Sequence, residues 1–533
     1  MQGIHKRAWL LACISGVLQV LIFPSPNLYP LCWVAFAPLL VAIFRAREPE
    51  TLQLPKTLGA ELVAASPGQG FLLGYFSGII WYAGTCYWVY YVMHVYGGID
   101  AALSVGILIL FCLYLALYHG LFGLLMAVAA GRKMSTGPRA LLLAPLFWVA
   151  VELARSRITG FPWDLLGTVQ VGNIALARIA TVTGVYGLSL EIMLVNAAFA
   201  AAFLVRRERR QTMLVAAIAA VVVLQATRWM VPPPLPADHV AVLVQENVPI
   251  LDSSQWTPQY FDSTVSELGE ISLRARQEQP ASRPGLIVWP ESPAPFYMND
   301  ANFRNAVSDI ARRGKAYVIT GSIGTQNAAI TGHANQIYNS AALIAPTGAW
   351  VTRYDKIHLV PFGEYVPFKQ FLFFAEKLTR EVGEFGRGTS RQPFDVGQYR
   401  IGTFICYESV FPDEVRQFAR NGAEVFVNIS NDEWYGETGA FGQHLLQARM
   451  RAVENDRWIL RSTNTGVTAS IDPYGRVVAK ARRNARTTLQ APFGLVRDTT
   501  FYTRHGDWFA YACAIISIVA LIVRYRIRVG TVQ

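Results

Sequence analysis

The chain has 533 residues, of which 53% are hydrophobic and only 16% are charged. Soluble domains carry about a quarter charged residues, so this composition argues against a wholly soluble protein. It also excludes a disordered chain, because apolar residues are abundant, and a disulfide-rich scaffold, because there are only six cysteines. The formal net charge is +11, which would suggest a nucleic-acid partner if the basic residues lay in a soluble region.

Eight apolar segments predict transmembrane helices, since a helix needs about 20 apolar residues to cross the hydrocarbon core of a bilayer. They cover residues 9–23, 28–44, 70–95, 101–130, 140–154, 182–205, 213–230 and 508–523. The first follows basic residues, as the core of a signal peptide does, but no small-residue cleavage site comes after it. We therefore interpret it as a membrane helix and expect an integral membrane bundle of about eight helices.

Basic residues cluster in alternate loops between these segments, and the loops between them are nearly free of charge. Positively charged loops stay in the cytoplasm, so both termini are predicted to be cytoplasmic and the long segment after the seventh helix to be exported. Residues 233–507 contain 28 basic and 28 acidic residues, which leaves 19 basic and 8 acidic residues for the rest of the chain. The net charge is therefore explained by membrane topology, and no nucleic-acid partner is predicted.

These patterns divide the chain into three parts. They are a membrane domain at 1–232, an exported soluble domain at 233–507, and a transmembrane helix with a cytoplasmic tail at 508–533. In the exported part, short β-branched runs alternate with polar, helix-periodic segments, which predicts an α/β domain. The phenylalanine-rich segment 368–374 has two interpretations, either a cover over the site at the membrane surface or a buried apolar patch.

Cys406 is the only cysteine of the predicted exported domain, since the other five lie in predicted membrane helices. A single cysteine in an oxidising compartment cannot form a disulfide within its own domain and risks wrong pairing. Its presence suggests a function, although an inert buried thiol is the alternative. Cys406 also follows the apolar run 401–405, and the ends of strands in α/β sheets are where ligands usually bind.

Three charged residues in proline-containing loops are candidate partners for this thiol. A cysteine nucleophile needs a group that removes its proton and a cation that stabilises the thiolate. Glu291 follows a predicted strand in the sequence VWPESP, and Lys356 and Glu364 flank the sequence IHLVPFG. Each alone is typical of a surface charge, but together with Cys406 they form a candidate catalytic set.

The motifs VWPES, YDKIHLVPFGEYVP and FICYESVFP, in this order, resemble the nitrilase or carbon–nitrogen hydrolase superfamily. With seven predicted helices before this domain and one after it, the whole chain resembles the bacterial apolipoprotein N-acyltransferase family. Further matching segments are GFPW at 160–163, YNSA at 338–341, NDEWYG at 431–436, RAVENDR at 451–457, NTGVTASIDPYG at 464–475 and TRHGDW at 503–508. The resemblance implies an αββα sandwich for the exported domain, in a multi-pass protein of the bacterial inner membrane with that domain on the periplasmic side.

The resemblance also implies a ping-pong acyl transfer. Cys406 is then the nucleophile, Glu291 the general base and Lys356 the cationic group. The acyl donor is a membrane phospholipid, whose acyl chain forms a thioester with Cys406. The acceptor is the N-terminal amine of the diacylglyceryl-cysteine of an apolipoprotein. The resemblance implies no cofactor and no metal.

Four more residues receive supporting roles by the same resemblance. Glu364 lies beside the lysine in sequence, and Tyr407 and Glu408 follow the nucleophile, so these three are expected to shape the acyl-enzyme pocket. Trp256 matches a position that contacts or gates the substrate, with ordinary packing as its alternative interpretation.

Two other functions are weighed against acyl transfer to apolipoproteins. A membrane-tethered amidase of the nitrilase type would use the same residues, but the eight predicted helices and the sequence GEYVP argue against it. A transporter or channel would need paired charges or broken helices within the membrane, and the few charges in the apolar segments do not form such a set.

Overall fold

The fold is described from a computed structural model, which covers residues 3–47, 63–131, 137–205, 207–251, 253–280, 285–291, 294–326, 336–361, 363–365 and 385–530. The chain forms two compact units. The helical unit comprises Met1–Tyr90, Asp100–Val231 and Asp507–Gln533, and the α/β unit comprises Tyr91–Ile99 and Pro232–Gly506.

The helical unit is built from α-helices and short 3-10 and π turns. Its α-helices are Lys6–Leu21, Ala37–Phe44, Pro67–Thr85, Trp88–Tyr91, Ala101–Ala130, Gly137–Ala140, Ala144–Ala154, Ile174–Ala177, Ala180–Thr183, Val185–Leu204, Arg207–Ala226 and Trp508–Gly530, with Tyr91 already in the α/β unit. Among the described residues, three helices are long and apolar enough to cross a membrane: Ala101–Ala130, Val185–Leu204 and Glu208–Trp229. A helical region with three candidate spans is thus confirmed among the described residues, whereas the predicted number of eight spans is not.

Proline explains why one predicted span is not a single helix. Residues 28–44 form a 3-10 turn at Tyr29–Trp33 and then the short helix Ala37–Phe44, and each has a proline at its second position, Pro30 or Pro38. Proline has no backbone N–H and is tolerated only in the first turn of a helix. A hydropathy count does not detect this interruption, because both flanking segments are apolar.

The α/β unit contains twelve described strands in two six-stranded sheets. They are β1 His239–Gln245, β2 Gly285–Val288, β3 Ala316–Gln326, β4 Gln336–Ile344, β5 Trp350–Asp355, β6 Phe394–Asp395, β7 Arg400–Ile405, β8 Val425–Ser430, β9 Ile459–Thr463, β10 Ala469–Ile471, β11 Val477–Lys480 and β12 Thr487–Phe493. The first sheet has the order β12-β1-β2-β3-β4-β5, and the second has the order β11-β10-β9-β8-β7-β6. Strands β1 to β3 are parallel, and so are β7 to β9.

The two sheets pack face to face, and helices cover their outer faces. Leu243 and Val288 of the first sheet share one core with Ile405 and Val427 of the second. On the other face of the first sheet, Val242 joins a separate core with helices Pro258–Gln277 and Ala301–Gly314. Helices Pro412–Arg420 and Ala440–Asn455 contribute to the burial of the second sheet. Strands buried on both faces are apolar throughout rather than alternating, which is why they could be predicted as short continuous runs.

The parallel strands bring the candidate residues to the ends of the sheets. Glu291 follows β2, Cys406 follows β7, and Asn431 follows β8. Lys356 comes directly after β5, and its backbone N–H donates to the carbonyl oxygen of Asn339 on β4 at 2.8 Å. The fold thus places Glu291, Lys356 and Cys406 after three different strands.

A segment distant in sequence completes the α/β unit. Tyr91–Ile99 lies in the chain between helices of the helical unit but packs with the α/β unit. The Tyr96 hydroxyl donates to Glu433 at 3.2 Å, and its ring lies 5.5 Å from that of Trp434. Both partners belong to the loop that follows β8.

Candidate active site

A buried lysine lies between two carboxylates at the centre of the candidate site. Lys356 Nζ donates to Glu291 Oε1 at 3.1 Å and to Glu364 Oε1 at 3.0 Å, and the lysine is 1% exposed. Asn339 bridges the same two oxygens, because its Nδ2 lies 2.7 Å from Glu291 Oε1 and 2.6 Å from Glu364 Oε1. The structure therefore brings three of the predicted site residues into one hydrogen-bonded cluster.

Backbone N–H groups fix the remaining carboxylate oxygens. Glu291 Oε2 accepts from the N–H of Asn431 at 2.8 Å, and Glu364 Oε2 accepts from the N–H of Val360 at 2.8 Å. Each carboxylate thus has its second oxygen held by the main chain, so that its orientation does not depend on the lysine alone. A carboxylate held in this way would need little rearrangement to take part in a proton transfer.

The two carboxylates keep Lys356 charged. Burial alone would lower its pKa, but Glu291 and Glu364 outweigh burial and raise the pKa of Lys356 well above its usual value. A group with a raised folded-state pKa stabilises the fold fully below its unfolded pKa, about 10.4 for lysine. We therefore expect the contribution of the Lys356 charge to stability to be constant through neutral pH and to be lost in strong alkali.

Cys406 begins a 3-10 turn, Cys406–Val410, immediately after β7, and is 5% exposed. Burial raises the pKa of its thiol, Glu291 raises it further, and Lys356 acts in the opposite direction. The same three residues therefore interact electrostatically. Because the thiol is neutral at rest, its use as a nucleophile requires a base that accepts the proton during attack.

Glu408 braces the backbone around both Cys406 and Lys356. Its Oε1 accepts from the Tyr354 hydroxyl at 2.7 Å and from the N–H groups of Ile357 at 2.7 Å and His358 at 3.1 Å. Its Oε2 accepts from the N–H of Ile405 at 2.7 Å. The fully buried side chain thus ties the strand end before the thiol to the segment that follows the lysine.

Replacing Glu408 with glutamine should therefore lower both stability and the rate of Cys406 acylation. All four hydrogen-bond partners of Glu408 are donors. The NH2 group of glutamine cannot accept, so at least one of these donors would lose its acceptor. We expect a loss of about 2–3 kcal/mol in unfolding free energy and about 100-fold in acylation rate, since misplacing a reacting group by 1 Å has that effect. Thermal unfolding and single-turnover acylation measure both. The exposed Glu270→Gln provides the control, and equal behaviour of the two variants would contradict the bracing role.

The other two predicted residues differ in their surroundings. Tyr407 is buried, and its ring packs edge-on against Phe411 at 5.1 Å. Trp256 packs against Tyr260 at 5.0 Å and Phe296 at 6.4 Å, beside the core between the first sheet and its helices. These contacts agree with the packing interpretation of Trp256, and its role toward substrate stays a prediction. The segment 368–374 lies outside the described residues.

Several residues that complete the site were not predicted from the sequence. Asn339 and Asn431 bind Glu291, and both lie in motifs, YNSA and NDEWYG, to which no role was assigned. Asp432 and His444 each have one atom that could bind a metal ion. These two atoms and Cys406 Sγ all lie within 4.8 Å of one another. Such a set could suggest a metal ion. However, both carboxylate oxygens of Asp432 accept from Arg461, at 3.1 and 2.8 Å, so a fixed cation already occupies this position and the residues do not fit a metal.

The comparisons with known proteins cover both units. The family description "Apolipoprotein N-acyltransferase N-terminal domain" matches residues 15–198, and "Carbon-nitrogen hydrolase" matches residues 253–497. An apolipoprotein N-acyltransferase from Geobacter metallireducens is 35% identical, with 98% of this chain and 96% of the relative covered. One from Nitrosomonas europaea is 32% identical, over 84% of this chain and 87% of the relative. A carbon-nitrogen hydrolase structure from Helicobacter pylori G27 is 17% identical, with a TM-score of 0.35, and the match covers 47% of this chain and 87% of that one.

Proposed function

Because the chain belongs to the apolipoprotein N-acyltransferase family, we propose that it moves an acyl chain from a membrane phospholipid to the N-terminal amine of the diacylglyceryl-cysteine of apolipoproteins. The similarity to named transferases over 98% of the chain carries this proposal. The buried thiol, ammonium and carboxylates at the strand ends supply the chemistry that such a transfer needs. We assign Cys406, Lys356 and Glu291 as its catalytic residues.

In the first half-reaction, Glu291 accepts the thiol proton while Cys406 Sγ attacks the ester carbonyl carbon of the phospholipid. The carbonyl π electrons move to the oxygen, and the ammonium of Lys356 stabilises the resulting oxyanion. The tetrahedral intermediate then collapses to the thioester. The ester C–O bond breaks, and Glu291 returns the proton to the leaving lysophospholipid oxygen.

In the second half-reaction, the acceptor amine attacks the thioester carbon. Glu291 takes a proton from the attacking nitrogen and returns it to the departing sulfur, so the products are an amide and the free thiol. Splitting the transfer in this way replaces one difficult step with two easier ones. Asn339 and Glu364 hold Lys356 and Glu291 in place throughout, and Tyr407 and Glu408 support the turn that carries the thiol.

The membrane region suits substrates that are themselves lipids. We propose eight membrane crossings in the inner membrane, both termini in the cytoplasm, and the soluble segment 233–507 on the periplasmic side between the membrane domain 1–232 and the final helix in 508–533. A membrane-impermeant maleimide should label Val478→Cys, on an exposed strand position, in intact spheroplasts. Arg139→Cys should react only after lysis, and the reverse pattern would refute this orientation.

An assay with two labelled substrates tests the proposed reaction. Purified protein is incubated with a phospholipid labelled in its acyl chains and a diacylated lipopeptide with a free N-terminal amine. We expect equal amounts of lysophospholipid and labelled N-acyl peptide, and no peptide product when the amine is acetylated. Release of labelled fatty acid at the same rate with and without the peptide would instead support the alternative, a membrane-tethered amidase or hydrolase.

A further inference from the structure

A histidine that the proposed mechanism does not use lies directly behind the nucleophile. His444, in helix Ala440–Asn455, is fully buried, and its Nε2 lies 3.0 Å from the carbonyl oxygen of Cys406. A carbonyl oxygen can only accept a hydrogen bond, so Nε2 must carry the hydrogen. This contact is to the backbone of the nucleophile, and it leaves the thiol itself free to react.

The backbone at Cys406 needs such support. Its φ is +49°, in the left-handed region, which is disfavoured for any residue with a Cβ. Such a conformation persists only where the surrounding structure determines it. Glu408 binds the N–H of Ile405 at 2.7 Å on one side of this residue, and His444 binds the Cys406 carbonyl on the other.

His444 is itself held in one orientation by a buried polar network. Its Nδ1 lies 3.0 Å from Asp432 Oδ1 and 3.1 Å from Arg461 Nη2. Asp432 also accepts from the Ser430 hydroxyl at 2.7 Å, and Arg461 donates to Asn428. The ring is therefore fixed by groups from β8, β9 and the loop after β8.

The charges of this network favour a neutral His444 imidazole, which carries its single hydrogen on Nε2. Burial and the positive charge of Arg461 lower the pKa of His444 despite the opposing effect of Asp432. A neutral imidazole has a single ring hydrogen, and the bond to Cys406 places it on Nε2. Nδ1 then accepts from Arg461 Nη2 at 3.1 Å, and this guanidinium, which also binds Asp432, offsets the close approach of Nδ1 to the Asp432 carboxylate. The tyrosine ring of Tyr435, 5.7 Å away and edge-on, closes the remaining side.

We propose that His444 is a positioning residue for the acylation step, which holds the left-handed turn at Cys406 by donating a hydrogen bond from Nε2 to the Cys406 carbonyl oxygen. The inference rests on the proposed function, in which Cys406 is the nucleophile. It assigns the Asp432–Arg461 pair the task of orienting the imidazole. It also explains why a cluster with the composition of a metal site contains a guanidinium instead.

Two amide substitutions separate the hydrogen bond from general packing. In His444→Gln the amide NH2 reaches the position of Nε2, whereas in His444→Asn it reaches only the position of Nδ1. We expect His444→Asn to slow the single-turnover acylation of Cys406 by about 100-fold, and His444→Gln to stay within about 10-fold of the unmodified protein. The KM for phospholipid should be the same in both, because His444 does not contact the substrate.

The acylation rates of the two His444 variants decide whether this residue positions Cys406. Equal rates for the two variants, or rates that merely follow their thermal unfolding midpoints, would overturn the positioning role. If neither variant folds, long-range nitrogen–proton NMR of histidine-labelled, unmodified protein tests the same claim. His444 is identified as the ring whose signals shift when iodoacetamide alkylates Cys406. A hydrogen on Nδ1 instead of Nε2 would refute the proposal.

Failure of the underlying function gives a different result. Alkylation of Cys406 by iodoacetamide, followed by mass spectrometry of its peptide, reports thiol reactivity without any lipid substrate. If acyl transfer does not need Cys406, the proposed function fails while the alkylation difference between the two variants remains. If the alkylation rates of the two variants are equal, the positioning role fails even though Cys406 is the nucleophile.

Discussion

Replacing Cys406 with alanine is expected to reduce acyl transfer by about 10⁴-fold or more, since loss of a covalent nucleophile has effects of this size in other acyl-transfer enzymes. The side chain is small, so the fold should persist with an unfolding midpoint close to that of the unmodified protein. Intact-mass spectrometry after incubation with phospholipid should show an acyl adduct in the unmodified protein and none in the variant.

The buried Cys513, in helix Trp508–Gly530, offers a matched control. Cys513→Ala removes an equally buried sulfur outside the candidate site and should retain full activity and the acyl adduct. An adduct that persists in Cys406→Ala, or transfer that continues without any adduct, would contradict the thioester mechanism. Activity lost equally in both variants would point to folding rather than chemistry.

Replacing Lys356 with methionine should abolish activity and also destabilise the protein. The substitution leaves two buried carboxylates, Glu291 and Glu364, facing each other without the cation that lies 3.1 and 3.0 Å from them. Removing one partner of a buried ion pair is destabilising by about 3–5 kcal/mol. The oxyanion and the thiolate would also lose their only described ammonium partner, so we expect at least a 1000-fold fall in acylation rate, roughly the effect of one strong electrostatic contact.

A second substitution separates these two losses. In Lys356→Met combined with Glu364→Gln, one of the opposed charges is gone, so stability should recover in part while activity stays absent. Chemical unfolding and single-turnover acylation measure the two quantities independently. Lys480→Met, at an exposed position of β11, should change neither. Activity that recovers together with stability would show that Lys356 acts only as a structural ion-pair partner.

Strand patterns predicted that Glu291 and Cys406 each follow a strand, and the structure places them after β2 and β7. The apolar run 401–405 before Cys406 corresponds to β7, and the strand predicted before Glu291 corresponds to β2. Both are buried on two faces, so their composition alone distinguishes them. Within each sheet, the residues that follow these strands lie at one edge because the neighbouring strands are parallel.

The residues that complete the site could not be found in this way. Asn339 lies within β4 and acts through contacts with residues 48 and 25 positions away. His444 lies on an amphipathic helix, where one buried polar residue resembles any other, and its partner Cys406 is 38 positions away. Local periodicity contains no information on such long-range pairs. The interruption of the predicted span at residues 28–44 was missed for a different reason. A hydropathy average over the segment does not respond to the prolines that interrupt the helix.

The packing of Tyr91–Ile99 with the α/β unit has a consequence for how this protein is made and studied. The ribosome synthesises these nine residues more than 330 positions before the loop that contains Glu433 and Trp434. The α/β unit can therefore be completed only late in translation, although one of its segments is synthesised early. A secreted fragment consisting only of residues 232–506 would lack Tyr96 and its contacts with Glu433 and Trp434. These two residues lie in the loop whose first residue, Asn431, orients Glu291. Measurements of catalysis therefore call for the full-length chain.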